Sequence, residues 1–134
     1  MTAPEYINLD LDIESADDLA PLAMFLDKNA CLLSHENIDG IDYITVEASL
    51  GNEGITPNIS VRKMLDLIES LPEELYKLFS NSKSRIFDFG FEGGYETEPL
   101  RSDLSADLLQ LSSKHNISFR FTIYSYREEE AADA

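Results

Sequence analysis

Residues 5–13 read EYINLDLDI, and an apolar side chain occupies every second position from Ile7 to Ile13. Asparagine and aspartate fill the positions between them. Period two with one polar side is the pattern of a strand that is covered on one face and open to water on the other. A half-covered sheet needs helices on its apolar side, so this stretch predicts an antiparallel or mixed sheet with helices packed on one face.

Four more strands are predicted further along the chain. Cys31–Glu36 and Ile41–Leu50 form a predicted hairpin whose turn contains Asp39-Gly40, a pair typical of tight turns between strands. Ser84–Phe91 and Ile117–Tyr126 alternate in the same way. The last strand is expected to turn these residues toward the core: Ile117, Phe119, Phe121 and Ile123.

Helical patterns lie between the strands. The first is expected over residues 16–28 with Ser15 as its cap, and the second begins at Thr56 with proline at its first position. Ser70–Glu73 has the spacing of a capping box and predicts a break followed by a third, short helix. A fourth is expected to start after Ser105.

The predicted order is therefore β-α-β-β-α-α-β-α-β. It indicates an α+β fold with a sheet of about five strands and helices packed on one face. The length of 134 residues favours a single domain, which we place over residues 1–127. Residues 128–134 are expected to be an acidic, disordered tail.

The charge of the chain is strongly negative. Ten Lys and Arg against 26 Asp and Glu give −16, and residues 1–58 alone hold twelve acids and one base. A protein that binds DNA or RNA directly gains by releasing counterions from phosphate, which requires the opposite sign of charge, so direct nucleic-acid binding is not expected. An acidic surface instead attracts a basic partner and speeds the encounter with it.

Catalytic and metal-binding patterns are not found in the sequence. One cysteine and two histidines, Cys31, His35 and His115, cannot build a zinc cluster at a recognised spacing, and Cys31 is expected to be a buried apolar residue. Asp10 and Asp12 resemble the start of a calcium loop, but the required glycine and glutamate are missing. We therefore expect no metal, no cofactor and no enzymatic activity.

Location follows from what the sequence lacks. Met1–Glu5 shows no basic region followed by an apolar stretch, and no segment reaches the ~20 apolar residues of a membrane helix. The expected location is the cytoplasm, without membrane contact.

The polar face of the sheet is the expected place of function. If the strands share one sheet in compatible register, that face carries Asn8, Asp10, Asp12, Asp88, Arg120, Thr122 and Tyr124. Charge and expected exposure select a set of candidate contacts with a partner, in which Tyr95 is an aromatic anchor. The candidates are Asp10, Asp12, Asp39, Asp42, Glu47, Glu92, Tyr95, Glu96 and Glu98.

The second half of the chain has a familiar layout. A helical stretch at residues 67–75 is followed by the strand at 87–91, a glycine- and acid-rich loop, a helix start at 104–109 and the strand at 117–124. Over residues 58–126 this arrangement resembles the DUF4279 type of small bacterial domain, members of which are found among immunity proteins of polymorphic toxin systems. The resemblance implies a protein that binds a cognate toxin domain, a basic nuclease for example, in the cytoplasm of the producing cell and blocks its active site. It implies no catalytic residues.

Three other interpretations remain open at the level of sequence. The chain could be an acidic nucleic-acid mimic or adaptor that occupies the groove of another basic protein. A small enzyme would need a concave pocket holding an acid of raised pKa. A homo-oligomeric structural domain would need an exposed apolar patch, and the sequence shows no surplus of exposed apolar residues, so we expect a monomer or weak dimer.

Overall fold

The computed structural model describes residues 3–48, 55–94 and 99–125. Within these ranges the predicted α+β fold is confirmed, with five strands, four helices and the predicted element order. The elements are β1 (Glu5–Ser15), α1 (Ala20–Asn29), β2 (Cys31–Ile38), β3 (Ile41–Glu47), α2 (Pro57–Glu69), α3 (Glu73–Ser80), β4 (Ser84–Glu92), α4 (Ala106–Lys114) and β5 (Ser118–Tyr124). The predictions made for Leu50 and for the tail at 128–134 lie outside the described residues.

The strands form one sheet in the order β2-β3-β1-β4-β5. All neighbours run antiparallel except β4 and β5, which are parallel, so the sheet is mixed. The strands β4 and β5 are parallel because α4, which connects them, carries the chain back to the end of the sheet at which β4 begins. The longest strand, β1, therefore lies in the middle of the sheet.

The core lies between one face of this sheet and the helices. Leu9, Leu11 and Ile13 of β1 and Phe87 and Phe89 of β4 are at most 3% exposed. They belong to one cluster with these helix residues: Leu22, Leu26, Val61, Met64, Leu65 and Ile68. The alternation in residues 5–13 thus has the cause that was inferred from it, because every second residue enters this cluster from Leu9 onward.

The start of α1 differs from the prediction. The strand β1 continues to Ser15, and the helix begins at Ala20 rather than at residue 16. Ser15 Oγ accepts a hydrogen bond from the Asp17 N–H at 3.1 Å and caps no helix. The N-cap is Leu19, whose N–H donates to Asp42 Oδ2 at 2.7 Å. The Leu19 N–H is therefore satisfied by the neighbouring hairpin, which local sequence could not indicate, while the Ala20 N–H donates to Asp18 Oδ1 at 2.9 Å.

The other helix starts agree in part. Thr56 caps α2 as predicted, accepting from the Ile59 N–H at 3.2 Å. The break before α3 is also confirmed, but the capping box is wrong. Ser70 Oγ instead donates to the Leu67 carbonyl at 2.6 Å, and α3 has Pro72 at its N-cap without a side-chain hydrogen bond.

A register shift near the start of β1 changes which residues face the core. The shift lies between Tyr6 and Asn8 in the pairing with β4, and it leaves Ile7 37% exposed instead of buried. Tyr6 turns to the helix side in its place and its hydroxyl donates to Ser60 Oγ at 2.9 Å. Burial, with the charge of Glu47 as a smaller cause, raises the pKa of Tyr6 to about 12.

Two further predictions of burial are wrong. Cys31, at the start of the edge strand β2, is exposed. In β5, Ile117 just before the strand is buried, but Phe121 and Ile123 are 64% and 72% exposed. Cys31 is paired with Glu47 and therefore lies on the face opposite the helices, whereas Phe121 and Ile123 lie on the helix side of the edge strand β5.

Candidate functional site

The face of the sheet opposite the helices carries most of its polar side chains. We call this surface the acidic face, and it comprises Asn8, Asp10, Asp12, Glu14, Thr45, Glu47, Asp88, Arg120 and Thr122. Four strands contribute to it, with β1 in the middle. The predicted membership of Asn8, Asp10, Asp12, Asp88, Arg120, Thr122 and Tyr124 requires one sheet in compatible register, and the pairing meets that condition.

Three carboxylates stand side by side near the centre of this face. Asp10 of β1 is paired with Glu47 of β3 on one side and with Asp88 of β4 on the other. Neighbouring strands are about 4.8 Å apart, so the Asp10 carboxylate is within direct reach of both Glu47 and Asp88. The amide of Asn8 donates to Asp10 Oδ1 at 3.3 Å and to Glu47 Oε2 at 3.2 Å.

The carboxyl of Asp10 has an unusual proton affinity. Burial, and then the charges of Glu47, Asp12 and Asp88, raise its pKa from 3.8 to about 6. Both causes disfavour the ionised form. In the part of the chain that the structure describes, no ion pair involves Asp10 or Glu47. A cation placed beside them would relieve the repulsion.

Asp12 and Asp88 share one cation supplied by the protein itself. Arg120 Nη1 lies 2.8 Å from Asp12 Oδ2 and 3.4 Å from Asp88 Oδ2. Thr45 donates to Asp12 Oδ1 at 2.8 Å, and Thr122 donates to Asp88 Oδ1 at 2.7 Å. The acidic face therefore has two parts, a satisfied network around Arg120 and an unneutralised pair formed by Asp10 and Glu47.

A shallow concavity of about 330 Å³ lies on the same face, toward the end of β1. Asp12, Glu14, Tyr43, Thr45 and Arg120 are among its lining residues, and Asp10 is not. The acid of raised pKa and the concavity therefore occupy different places. Proton transfer at an enclosed substrate would require them together.

The sequence-selected contact residues fall into separate groups. Asp10, Asp12 and Glu47 lie together on the acidic face. Glu92 is at the end of β4, opposite Tyr124, and Asp39 occupies the hairpin turn with a φ of 52°. The remaining candidates Tyr95, Glu96 and Glu98 lie outside the described residues.

Asp42 contradicts its selection as an exposed contact. It is 4% exposed and turns toward the helix side of the sheet. Its carboxylate accepts hydrogen bonds from the Leu19 N–H at 2.7 Å and from Asn37 Nδ2 at 2.7 Å, and His35 Nε2 lies 3.1 Å away. Burial alone would raise the pKa of Asp42, but the hydrogen bonds from Asn37, His35 and Leu19 outweigh it and hold the pKa below its usual value. Asp42 is a structural residue.

Six members of the acidic face are not among the selected contacts: Asn8, Glu14, Thr45, Asp88, Arg120 and Thr122. Asp88 and Arg120 had been placed on the polar face by alternation, but their pairing depends on β4 and β5 being neighbours. Glu14 was missed because the strand was expected to end at Ile13, whereas the period-two pattern continues through it.

The described residues contain no group of three or more His, Cys, Asp or Glu side chains arranged to hold a metal ion. In the same ranges no helix is long and apolar enough to cross a membrane. Comparison of the chain with protein-family models, with curated proteins and with solved structures gave no match.

Proposed function

We propose that the acidic face binds a basic protein, and that the chain is an immunity protein which neutralises a cognate toxin domain in the cytoplasm by masking its active site. The observation that carries this proposal is the row formed by Glu47, Asp10 and Asp88 on the sheet face opposite the described helices. Two of these carboxylates have no cation beside them in the described residues. A lysine or arginine from the partner would supply it.

The favourable free energy expected on binding has a defined physical source. In the free protein, ionised Asp10 is disfavoured by burial and by neighbouring negative charges. A guanidinium placed between Asp10 and Glu47 would form charge-assisted hydrogen bonds and remove that repulsion. Binding would require Asp10 to be ionised, so affinity should fall as the pH decreases below about 6.

The rest of the molecule supports the encounter. A net charge of −16 creates a negative potential that attracts a basic partner and repels acidic ones. Steered association of this kind reaches on the order of 10⁸ M⁻¹s⁻¹ at low salt. Arg120, held by Asp12 and Asp88, cancels one of the two negative charges in that part of the face, which favours a cationic side chain at Asp10 and Glu47 instead.

The test is co-purification of the tagged chain with the product of the neighbouring gene, at low and at high salt, followed by expression of that product alone. The proposal expects a basic partner that is released by salt, that poisons cells by itself and that is harmless when both are expressed. A partner that binds but is harmless alone would support the nucleic-acid mimic or adaptor instead. No binding by the neighbouring product would contradict the immunity proposal.

A pair of matched variants tests the face. Asp10→Lys/Glu47→Lys changes the charge of the acidic face, and Asp27→Lys/Glu74→Lys makes the same change at exposed positions of α1 and α3. The first variant should lose binding and protection at fixed salt, while the second should keep both. The milder Asp10→Asn/Glu47→Gln variant should also lose binding. Equal effects of both Lys variants would show that only total charge matters and that this face is not the site.

A further inference from the structure

The strand β5 forms an open margin of the sheet. It is the last strand in the order and is bonded to β4 alone among the described strands. Its register with β4 runs without a shift from Ser118 to Tyr124. A regular edge strand presents backbone N–H and C=O groups to any further strand.

The helix side of this margin is apolar and uncovered. Phe121 and Ile123 are 64% and 72% exposed, and Leu109 of α4 beside them is 44% exposed. The Phe121 ring stacks on Phe89 with centroids 5.2 Å apart, at one side of a groove of about 170 Å³ that Leu104 also lines. The helix layer therefore ends before the sheet does.

The opposite margin, β2, differs in ways that disfavour strand pairing. The strand β2 has a register shift between Leu32 and Ser34, and Glu36 adds a charge to it. Bulges and charges are common means of protecting a sheet edge. The strand β5 contains no proline, lysine or bulge, and its single charged residue, Arg120, points to Asp12 and Asp88 on the acidic face.

The distribution of charge favours a second copy as the occupant. Every other described strand carries at least one acid, whereas β5, with the sequence SFRFTIY, carries none. Repulsion between two chains of −16 is concentrated elsewhere and is screened beyond about 8 Å at physiological salt. This is the strand at which two acidic copies can meet without placing acids of the paired strands opposite each other.

We propose that two copies of the chain pair antiparallel through their β5 strands, about a twofold axis at Phe121. Phe121 of one copy then faces Phe121 of the other, and Phe119 of each copy faces Ile123 of the other on the helix side. On the other side Arg120 faces Thr122, so the two arginines do not oppose each other. Aromatic and β-branched cross-strand pairs of this kind stabilise sheets.

The dimer would have a continuous sheet of ten described strands. Directly opposed residues of antiparallel strands point to the same side, so both helix layers lie on one face and both acidic faces lie on the other. The apolar groove and the exposed rings of each copy are covered at the seam. The inference does not depend on what the acidic face binds, and it is tested on the chain alone.

The first test is sedimentation equilibrium of the isolated protein from about 1 µM to 1 mM, which spans the range of weak to moderate association. The wild type should dimerise. Ile123→Lys should raise the dimer dissociation constant at least about 100-fold, because the change is present in both copies and places a charge in the apolar seam. Leu33→Lys is the matched control at the other edge, where Leu33 is 50% exposed, and it should dimerise like the wild type.

The second test reads the register. Phe121→Cys in a Cys31→Ser background should form a disulfide between copies under mild oxidation, whereas Leu33→Cys in that background should not. Circular dichroism of each variant checks that the monomer is folded. A wild type that is monomeric throughout, or a dimer that Leu33→Lys disrupts and Ile123→Lys does not, would overturn the proposal. A monomer whose capture of a basic partner is weakened by Ile123→Lys would assign this edge to the partner instead.

Discussion

At the scale of single residues, Asp10 and Asp42 show how one side-chain type acquires opposite properties on adjacent strands of one sheet. Asp42 is buried but receives the Leu19 N–H and the Asn37 amide, which together outweigh the penalty of burial. At Asp10, burial and then the charges of three neighbouring acids both disfavour ionisation. Burial disfavours the charge of both carboxylates, and the hydrogen-bond donors around Asp42 decide that only Asp42 is stabilised as a charge.

Asp10→Asn should stabilise the protein at neutral pH. The rise in pKa from 3.8 to about 6 would correspond to about 3 kcal/mol in a fully buried group, and we expect about 1 kcal/mol after screening by water at this half-exposed position. The folded state holds the Asp10 proton more tightly than the unfolded state does, so ionised Asp10 destabilises the fold above about pH 6 and not below about pH 4. Urea unfolding at pH 7.5 and pH 4 should therefore show the gain at the higher pH and none at the lower. Asp27→Asn on α1 is the control, and an equal gain there would show that the effect is one of total charge.

Asp42→Ala should have the opposite effect. It leaves the Leu19 N–H without its acceptor and releases Asn37 and His35, so we expect a loss of about 2–4 kcal/mol in the free energy of unfolding at pH 7. The lowered pKa means that ionised Asp42 stabilises the fold above its ordinary titration range, and that this contribution is lost as the pH falls through the folded value. The difference between variant and wild type should therefore shrink in urea titrations taken toward pH 3. Asp39→Asn removes a nearby exposed charge at a left-handed position that asparagine tolerates, and a loss there as large as that of Asp42→Ala would contradict this account.

At the scale of elements, the parts of the fold that sequence predicts are those fixed by local chemistry. Alternation identifies β1, β4 and β5, and Asp39-Gly40 identifies the hairpin because both residues adopt positive φ, 52° and 86°. Thr56 caps α2 through a hydrogen bond three residues away. In each case the deciding interaction is contained within a few residues of chain.

The predictions that were wrong concern features that depend on contacts between residues distant in sequence. Leu19, the residue before α1, is held in place by Asp42, which lies 23 residues later and accepts the Leu19 N–H. Ile7 loses its place in the core because β4 pairs with a shifted register. Phe121 and Ile123 continue the alternation of a covered strand, but β5 lies at the edge of the sheet. An alternation with a period of two indicates which residues share a face of the strand, but it does not indicate whether that face is covered by a helix.

For the candidate site too, the features set by local alternation were predictable and those set by strand order were not. The alternation of β1 places Asp10 and Asp12 on the open side, and the alternation of β3 does the same for Glu47. The ion pairs of Arg120 with Asp12 and Asp88 were not predictable, because they require the strand order β1-β4-β5. Sequence thus located the acids, and the topology determines which of them remain without a cation.

At the scale of the whole molecule, acidic charge and apolar surface are separated. The acidic face collects carboxylates on one side of the sheet, while the exposed apolar residues of β5 lie on the other side at its margin. The expectation that no apolar patch is exposed is therefore wrong, and the reason is again the edge position of β5. One molecule can in this way offer a charged surface to a partner of opposite sign and an apolar surface to its own copy.

The same charge predicts how salt affects stability. At −16 the folded chain repels itself more than the expanded unfolded chain does, and the Debye length shortens from about 30 Å at 0.01 M salt to about 8 Å at 0.15 M. The free energy of unfolding at pH 7.5 should therefore rise by about 1 kcal/mol between these conditions, measured by urea unfolding in NaCl. Asp10→Asn should show a smaller rise, because it removes one centre of the repulsion. A free energy that falls with salt would mean that ion pairs such as Arg120 with Asp12 outweigh the self-repulsion, and that the acidic face is already balanced in the absence of a partner.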